Sequence, residues 1–103
     1  MSSPPSESRP GLAHSLVLVI DDNEAVRTAL EVLFSLHGAQ VLGAASAPEG
    51  LALLRREAID LVIQDMNFRR EATGGEEGVA LFHAIRRQHP DVPIVLLTAW
   101  THL

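Results

Sequence analysis

The sequence predicts an α/β domain built on an open parallel sheet, with elements in the order βαβαβαβ. Three observations predict it. Short apolar runs without polar alternation suit strands covered by helices on both faces. Segments with apolar residues at helical spacing lie between those runs. From Ser15 onward the two kinds of segment alternate, with no internal repeat or low-complexity stretch between them. Right-handed crossovers then produce one parallel sheet with helices on both faces. A chain of 103 residues holds one such domain.

Each element has its own signals. Residues 1–14 carry three Pro and four Ser and read as a flexible tail, with the domain occupying 15–103. Leu16–Ile20 is the first strand, apolar on both faces, and it ends in Asp21 and Asp22. Asn23 is placed to cap the next helix, where Val26, Ala29, Leu30 and Leu33 recur at helical spacing. His37 and Gly38 end that helix, the glycine suiting the left-handed position after the last turn. Gln40–Ala44 reads as a second, shorter strand. Ser46 and Glu49 match a capping box, and Pro48 falls in the first turn, where its missing N–H costs nothing. Leu51 and Leu54 mark the buried face of this second helix. Ile59–Gln64 is the third strand and ends at Asp65; a polar, glycine-containing stretch follows over Asn67–Glu77. Val79, Phe82 and Ile85 define a third helix, with Arg86, Arg87 and His89 at the negative end of its dipole. Pro90 stops it. Residues 93–98 form the fourth strand, and Ala99–Leu103 finish the chain.

The composition excludes several classes of function. Hydrophobic residues make up 47% and charged residues 20%, the profile of a folded chain. Thirteen acids against eight bases leave a net charge of −5, whereas nucleic-acid binding requires a concentrated cationic surface. With no Cys, disulfides, thiolate metal sites and Cys nucleophiles are excluded. There is no Tyr, and no Lys either, since all eight bases are Arg. No apolar run approaches the ~20 residues of a membrane span. The first residues contain no apolar signal-peptide core. A reducing cytoplasm is the expected setting, with neither nucleic acid nor membrane as partner.

The chemistry is expected at the carboxyl ends of the strands, where ligands bind in open α/β sheets. Asp21 and Asp22 end strand one and Asp65 ends strand three. In the strand order 2-1-3-4 those strands are neighbours, so the three carboxylates converge. Two such charges ~5 Å apart repel by roughly 3 kcal/mol at an effective dielectric near 20. The cluster therefore calls for a compensating cation or a retained proton. Hard oxygen donors with no His or Cys beside them favour Mg²⁺, which keeps several waters and leaves room for a phosphate oxygen. An Asp pair after one strand is common on surfaces; its conjunction with Asp65 and Thr98 at the ends of later strands is the specific signal. The five His lie at no metal-binding spacing. Arg69, Arg70, Arg86 and Arg87 read as solvated surface, and Trp100 as packing. Gly74 and Gly75 follow no strand directly and lack a P-loop Lys.

These residues resemble the receiver domain of two-component response regulators. The matching text is VLVIDDNEAVRTAL from Val17, LVIQDMNF from Leu61 and PIVLLTAW from Pro93. DMNF followed by a Gly-Glu-Glu-Gly stretch looks most like receivers attached to sigma-54-dependent transcriptional activators. The resemblance implies a flavodoxin-like (CheY-like) sheet and a signalling module rather than an enzyme. It implies that Asp65 accepts a phosphoryl group from a sensor histidine kinase. Asp22 would be a direct Mg²⁺ ligand, Asp21 would act on the metal through water, and the main-chain carbonyl of Asn67 would complete the protein ligands. Thr98 matches the hydroxyl residue that contacts the phosphoryl group, and Ala99 leaves space beside it.

The likeness covers only part of the family's fold. A complete receiver has five βα units; here there are three and a lone strand. The fifth strand, with its Lys, and the last two helices have no counterpart in the sequence. Gly78 falls later than the glycine that usually opens helix three, and the family's Met-Pro pair is missing. Two readings follow. One is a phosphoacceptor; the other is a truncated fragment that cannot be phosphorylated, serving only as an interaction module or as a non-functional product. A phosphatase with an aspartyl-phosphate intermediate is a third and weaker option, because Asn67 stands where such enzymes place a second Asp. Ile94, Val95, Leu96 and Leu97 expect cover on both faces, so the isolated chain is expected to be partly unfolded or to self-associate through strand four.

Overall fold

The computed structural model describes residues 13–66 and 76–98. Its elements are β1 (Leu16–Ile20), α1 (Glu24–Ser35), β2 (Gln40–Ala44), α2 (Ala47–Arg56), β3 (Leu61–Asp65), α3 (Glu76–Gln88) and β4 (Ile94–Leu97). The four strands form one parallel sheet, as the alternation of segments predicts, in the order β2-β1-β3-β4 that the receiver resemblance implies. Most of the tail predicted over residues 1–14 lies outside the described residues.

Strand alternation divides the core into two layers. Leu18 and Ile20 of β1 join Ala44, Val62, Leu54 of α2, and Leu81 and Ile85 of α3 in one cluster. Val17 and Val19 point the other way, with Ile63 and Ala39, and are covered by Leu30 and Phe34 of α1. Full burial of side chains such as Leu18, Ile20 and Ile85 contributes about 1.5–3 kcal/mol each. A strand apolar on both faces is what a sheet with helices on each side requires.

The helix ends follow the sequence signals. Asn23 Oδ1 accepts from the amides of Ala25 and Val26, at 2.8 and 3.2 Å. Ser46 Oγ accepts from Glu49 N at 3.3 Å, while Glu49 Oε1 accepts from Ala45 N at 3.0 Å, one residue before the cap itself. Gly38 has φ 86°, the left-handed conformation that glycine adopts without a Cβ penalty.

Two strand bounds are corrected, and contact with the sheet defines the burial of two helices. Strand three begins at Leu61 rather than Ile59, because Asp60 is used as a clamp: its amide donates to Leu16 O at 2.8 Å and its carboxylate accepts from Leu16 N at 2.9 Å. Strand four runs over 94–97 rather than 93–98. The buried stripe of α3 is Gly78, Leu81 and Ile85, whereas Val79 is 44% exposed and Phe82 half-buried. Helix one buries no residue completely, and Leu33 is exposed. Its cover of the sheet comes from one line of contact, Leu30 and Phe34.

Arg86 is also more than solvated surface. Its Nη1 donates to the carbonyls of Val92 at 2.6 Å and Pro90 at 3.1 Å, and its guanidinium sits 5.6 Å from the Phe82 ring centre. It thereby closes the end of α3 and fixes the turn into β4.

Packing of α2 on β1 leaves little room for a side chain at Gly50. A Cβ on Gly50 would lie 2.5 Å from Ile20 Cδ1 and 2.8 Å from its Cγ1. Gly50→Val should therefore force the helix away from Ile20 and cost about 1–3 kcal/mol. The check is the urea midpoint, which falls relative to wild type.

Candidate functional site

Sheet register builds the site. Ile20 pairs with Gln64, so the residues that follow them, Asp21 and Asp65, emerge side by side at the carboxyl edge. Asp22 follows Asp21 into the turn before α1. One carboxylate oxygen from each of Asp21, Asp22 and Asp65 can be chosen so that all lie within 4.8 Å of one another. Asp21 and Asp65 are buried, at 5% and 7% exposure, whereas Asp22 is exposed. The convergence expected from the sequence is what the structure contains.

Local hydrogen bonds hold the β1 end of this cluster. Asp21 N donates to Ala44 O at 3.0 Å, continuing the pairing of β1 with β2. Asp21 Oδ1 accepts from Asn23 N at 2.8 Å, forming a tight turn directly before the helix cap. Burial pushes the Asp21 carboxyl above its ordinary 3.8, and the Asp22 charge pushes the same way; the Asn23 amide and the Arg27 guanidinium oppose them. The sequence alone gives Arg27 no role at this site. From α1 its Nη1 donates to the Asp21 carbonyl at 2.7 Å, so a cation stands beside the turn. Only its place one helical turn past the Asn23 cap hints at this.

The β3 end is held differently. Met66 N donates to Leu97 O at 3.0 Å, carrying the ladder one residue past Asp65. Asp65 itself pairs with Leu97 in register, so Thr98 follows at the same carboxyl edge, with an exposed side chain. Gln64, fully buried, donates from Nε2 to Gly78 O of α3 at 2.8 Å. A cleft of about 610 Å³ opens between α2 and α3, running from Asp22 and Ser46 past Leu51 and Leu81 to Arg87.

The donor set fits a small hard divalent cation. It consists of carboxylate oxygens within 4.8 Å of one another, close enough to share one ion directly or through water, and like charges so close need compensation. Asn67, Ala99 and Trp100, together with Arg69, Arg70, Gly74 and Gly75, lie outside the described residues.

The upward shift of the Asp21 pKa has a definite sign in stability. A carboxyl that binds its proton more tightly when folded stabilises the fold below its ordinary value of 3.8, and that contribution is lost as pH rises through the folded-state value. Asp21→Asn keeps an acceptor for Asn23 N and removes the charge. In metal-free buffer it should be more stable than wild type at pH 7, on the order of 1 kcal/mol. The difference should vanish below the ordinary carboxylate range, as read from urea unfolding at both pH values.

Comparison with known proteins agrees with this geometry. The model of the response regulator receiver domain matches residues 17–103. The transcriptional regulatory protein AfsQ1 of Streptomyces coelicolor is 40% identical over 83 residues, covering 81% of this chain and 34% of AfsQ1. GlrR of Escherichia coli, also a transcriptional regulatory protein, is 34% identical over 83 residues, covering 81% of this chain and 18% of its own length. The chain thus spans about a third or less of these relatives. Among solved structures, the response regulator protein TrrA of Thermotoga maritima, in complex with Mg²⁺-BeF, superposes with a TM-score of 0.73 at 28% identity. That match covers 85% of this chain and 72% of TrrA. A receiver domain protein of Methanospirillum hungatei superposes with a TM-score of 0.75 at 24% identity, covering 88% of this chain and 69% of its own, and supports the fold. The parallel order β2-β1-β3-β4, the three acids at its carboxyl edge and the match over residues 17–103 place the chain in the response regulator receiver family.

Proposed function

We propose that the chain is a phosphoacceptor in two-component signalling, taking a phosphoryl group from the phosphohistidine of a sensor kinase onto Asp65. The observation that carries this reading is the convergence of Asp21, Asp22 and Asp65 within 4.8 Å at the strand ends. A buried carboxylate at the end of β3 is a fixed nucleophile, and an exposed Asp22 beside it is open to an incoming donor.

In the transfer, an Asp65 oxygen attacks phosphorus in line with the departing imidazole nitrogen. The O–P bond forms as the P–N bond breaks, and the bonding pair leaves with the imidazole, which takes up a proton from solvent. Little covalent chemistry is asked of the protein beyond orientation and charge. Mg²⁺, bound at this cluster, supplies the positive charge that lets a phosphate approach three acids. Asp22 and Asp65 would hold it directly and Asp21 through water, with the Asn67 carbonyl completing the protein ligands. Arg27 steadies the Asp21 turn through its carbonyl. Thr98, one residue beyond the Leu97 that pairs with Asp65, is the hydroxyl offered to the phosphoryl oxygens. The setting of this chemistry is the cytoplasm; among the described residues no helix is long and apolar enough to cross a membrane.

Two measurements test the reading. With Mg²⁺ and phosphoramidate, mass spectrometry should find one adduct on Asp65, and efficient labelling of Asp65→Asn would refute the assignment. The 103 residues contain no Lys, so the adduct forgoes one charge-assisted contact of about 1.5–3 kcal/mol, and labelling should be slow or incomplete. Calorimetric titration with Mg²⁺ should show weak binding that Asp22→Ala reduces; equal affinity in both proteins would remove Asp22 from the site.

The edge of the sheet supports a further partner reading. Val95 and Leu96, on opposite faces of β4, are 46% and 44% exposed. An edge strand of this kind is a template for pairing with another chain. The 103-residue chain should therefore self-associate through β4, and Val95→Lys should reduce the sedimentation coefficient. A wild-type monomer at all concentrations would reject this reading.

A further inference from the structure

Gln64 has a side chain whose chemistry the core does not need. It is fully buried on the face of β3 that it shares with Val62, the layer packed beneath α2 and α3. Its Nε2 donates to Gly78 O at 2.8 Å and lies 3.4 Å from Asp65 O. Its Oε1 is buried with no hydrogen-bond partner among the described residues. These neighbours fix the amide orientation, because exchanging oxygen and nitrogen would set an acceptor against two carbonyl oxygens. A half-satisfied buried amide stabilises a core less than an apolar side chain of the same size. What distinguishes Gln from Leu or Met here is the donor, and the donor's target is specific.

Gly78 belongs to the first turn of α3. A Cβ at that position would fall 2.6 Å from both Met66 Cα and Met66 O. The start of α3 therefore rests directly on the backbone of the residue that follows Asp65. The Gln64 amide bonds to that same turn, so β3 and α3 are joined at the base of the acid cluster by one side chain and one close backbone contact.

We infer that Gln64 is a positioning residue for this cluster. By holding the first turn of α3 against Met66, it fixes the backbone that carries the Asp65 carboxylate, and with it the separation of Asp65 from Asp21 and Asp22. The inference rests on the reading of these acids as a Mg²⁺-dependent phosphoacceptor site.

The test compares wild type with Gln64→Met, which keeps the length of the side chain and loses the donor, and with Gly78→Ala, which pushes α3 off Met66 and leaves Gln64 intact. Thermal midpoint, Mg²⁺ affinity by calorimetry and labelling rate per folded molecule with phosphoramidate are measured on each. Gln64→Met should keep or raise the thermal midpoint while Mg²⁺ affinity and labelling rate fall about tenfold. Gly78→Ala should show the same loss of affinity and rate. Either variant with affinity and rate within twofold of wild type overturns the inference, as does a loss that merely tracks the unfolded fraction. Wild type that binds Mg²⁺ but gains no adduct on Asp65 defeats the proposed function alone, and the Mg²⁺ comparison still decides the role of Gln64. Wild type that binds no Mg²⁺ overturns both.

Discussion

Parallel pairing of β1 with β3, in the register that sets Ile20 opposite Gln64, forces two buried carboxylates to leave the sheet side by side. Everything at the carboxyl edge follows from that register. A slip of one residue would turn the side chains of β1 to the opposite face and carry Asp21 out of line with Asp65. The register is held where such slips are most costly, by Leu18 and Ile20 on one face and Val17 and Val19 on the other, all fully buried. The same side chains that stabilise the sheet thus hold together charges that repel one another.

Burial and the neighbouring Asp22 charge both oppose ionisation of Asp21, and the fold offsets them only in part. Asn23 N bonds one oxygen of Asp21, and Arg27 bonds the Asp21 carbonyl, yet the balance still leaves this carboxyl harder to ionise than usual. An acid held in that condition is favoured by anything that brings positive charge. Under the proposed function, a cation or a cation-bound phosphate at the cluster would supply the missing compensation.

The helical layer beyond β3 is joined to the site through small contacts rather than large ones. Gly78 lets α3 lie on Met66, and Gln64 bridges the two elements from within the core. At the far end, Arg86 ties the last turn of α3 to the carbonyls that precede β4. Helix α3 is therefore anchored at both ends to strands that carry site residues. On the opposite face α1 covers the sheet mainly through Leu30 and Phe34, and Val32, Leu33 and Leu36 remain exposed.

The sequence by itself determined the class of fold, the order of elements and the identity of the three acids. Those features rest on local physics: both-face apolar runs, caps at Asn23 and Ser46, a left-handed Gly38, and acids at the positions where strands must end. Helix faces were less legible. Val79, Phe82 and Ile85 satisfy helical spacing as well as Gly78, Leu81 and Ile85 do, and only contact with β3 selects the second set. Ile59 is apolar, so the sequence alone starts strand three two residues early, and nothing local reveals that Asp60 clamps Leu16. Arg27 beside Asp21, Arg86 on Val92 and Gln64 on Gly78 were decided by tertiary structure alone. A long polar side chain can reach many partners along its own helix or strand, and which one it takes depends on where another element brings its backbone.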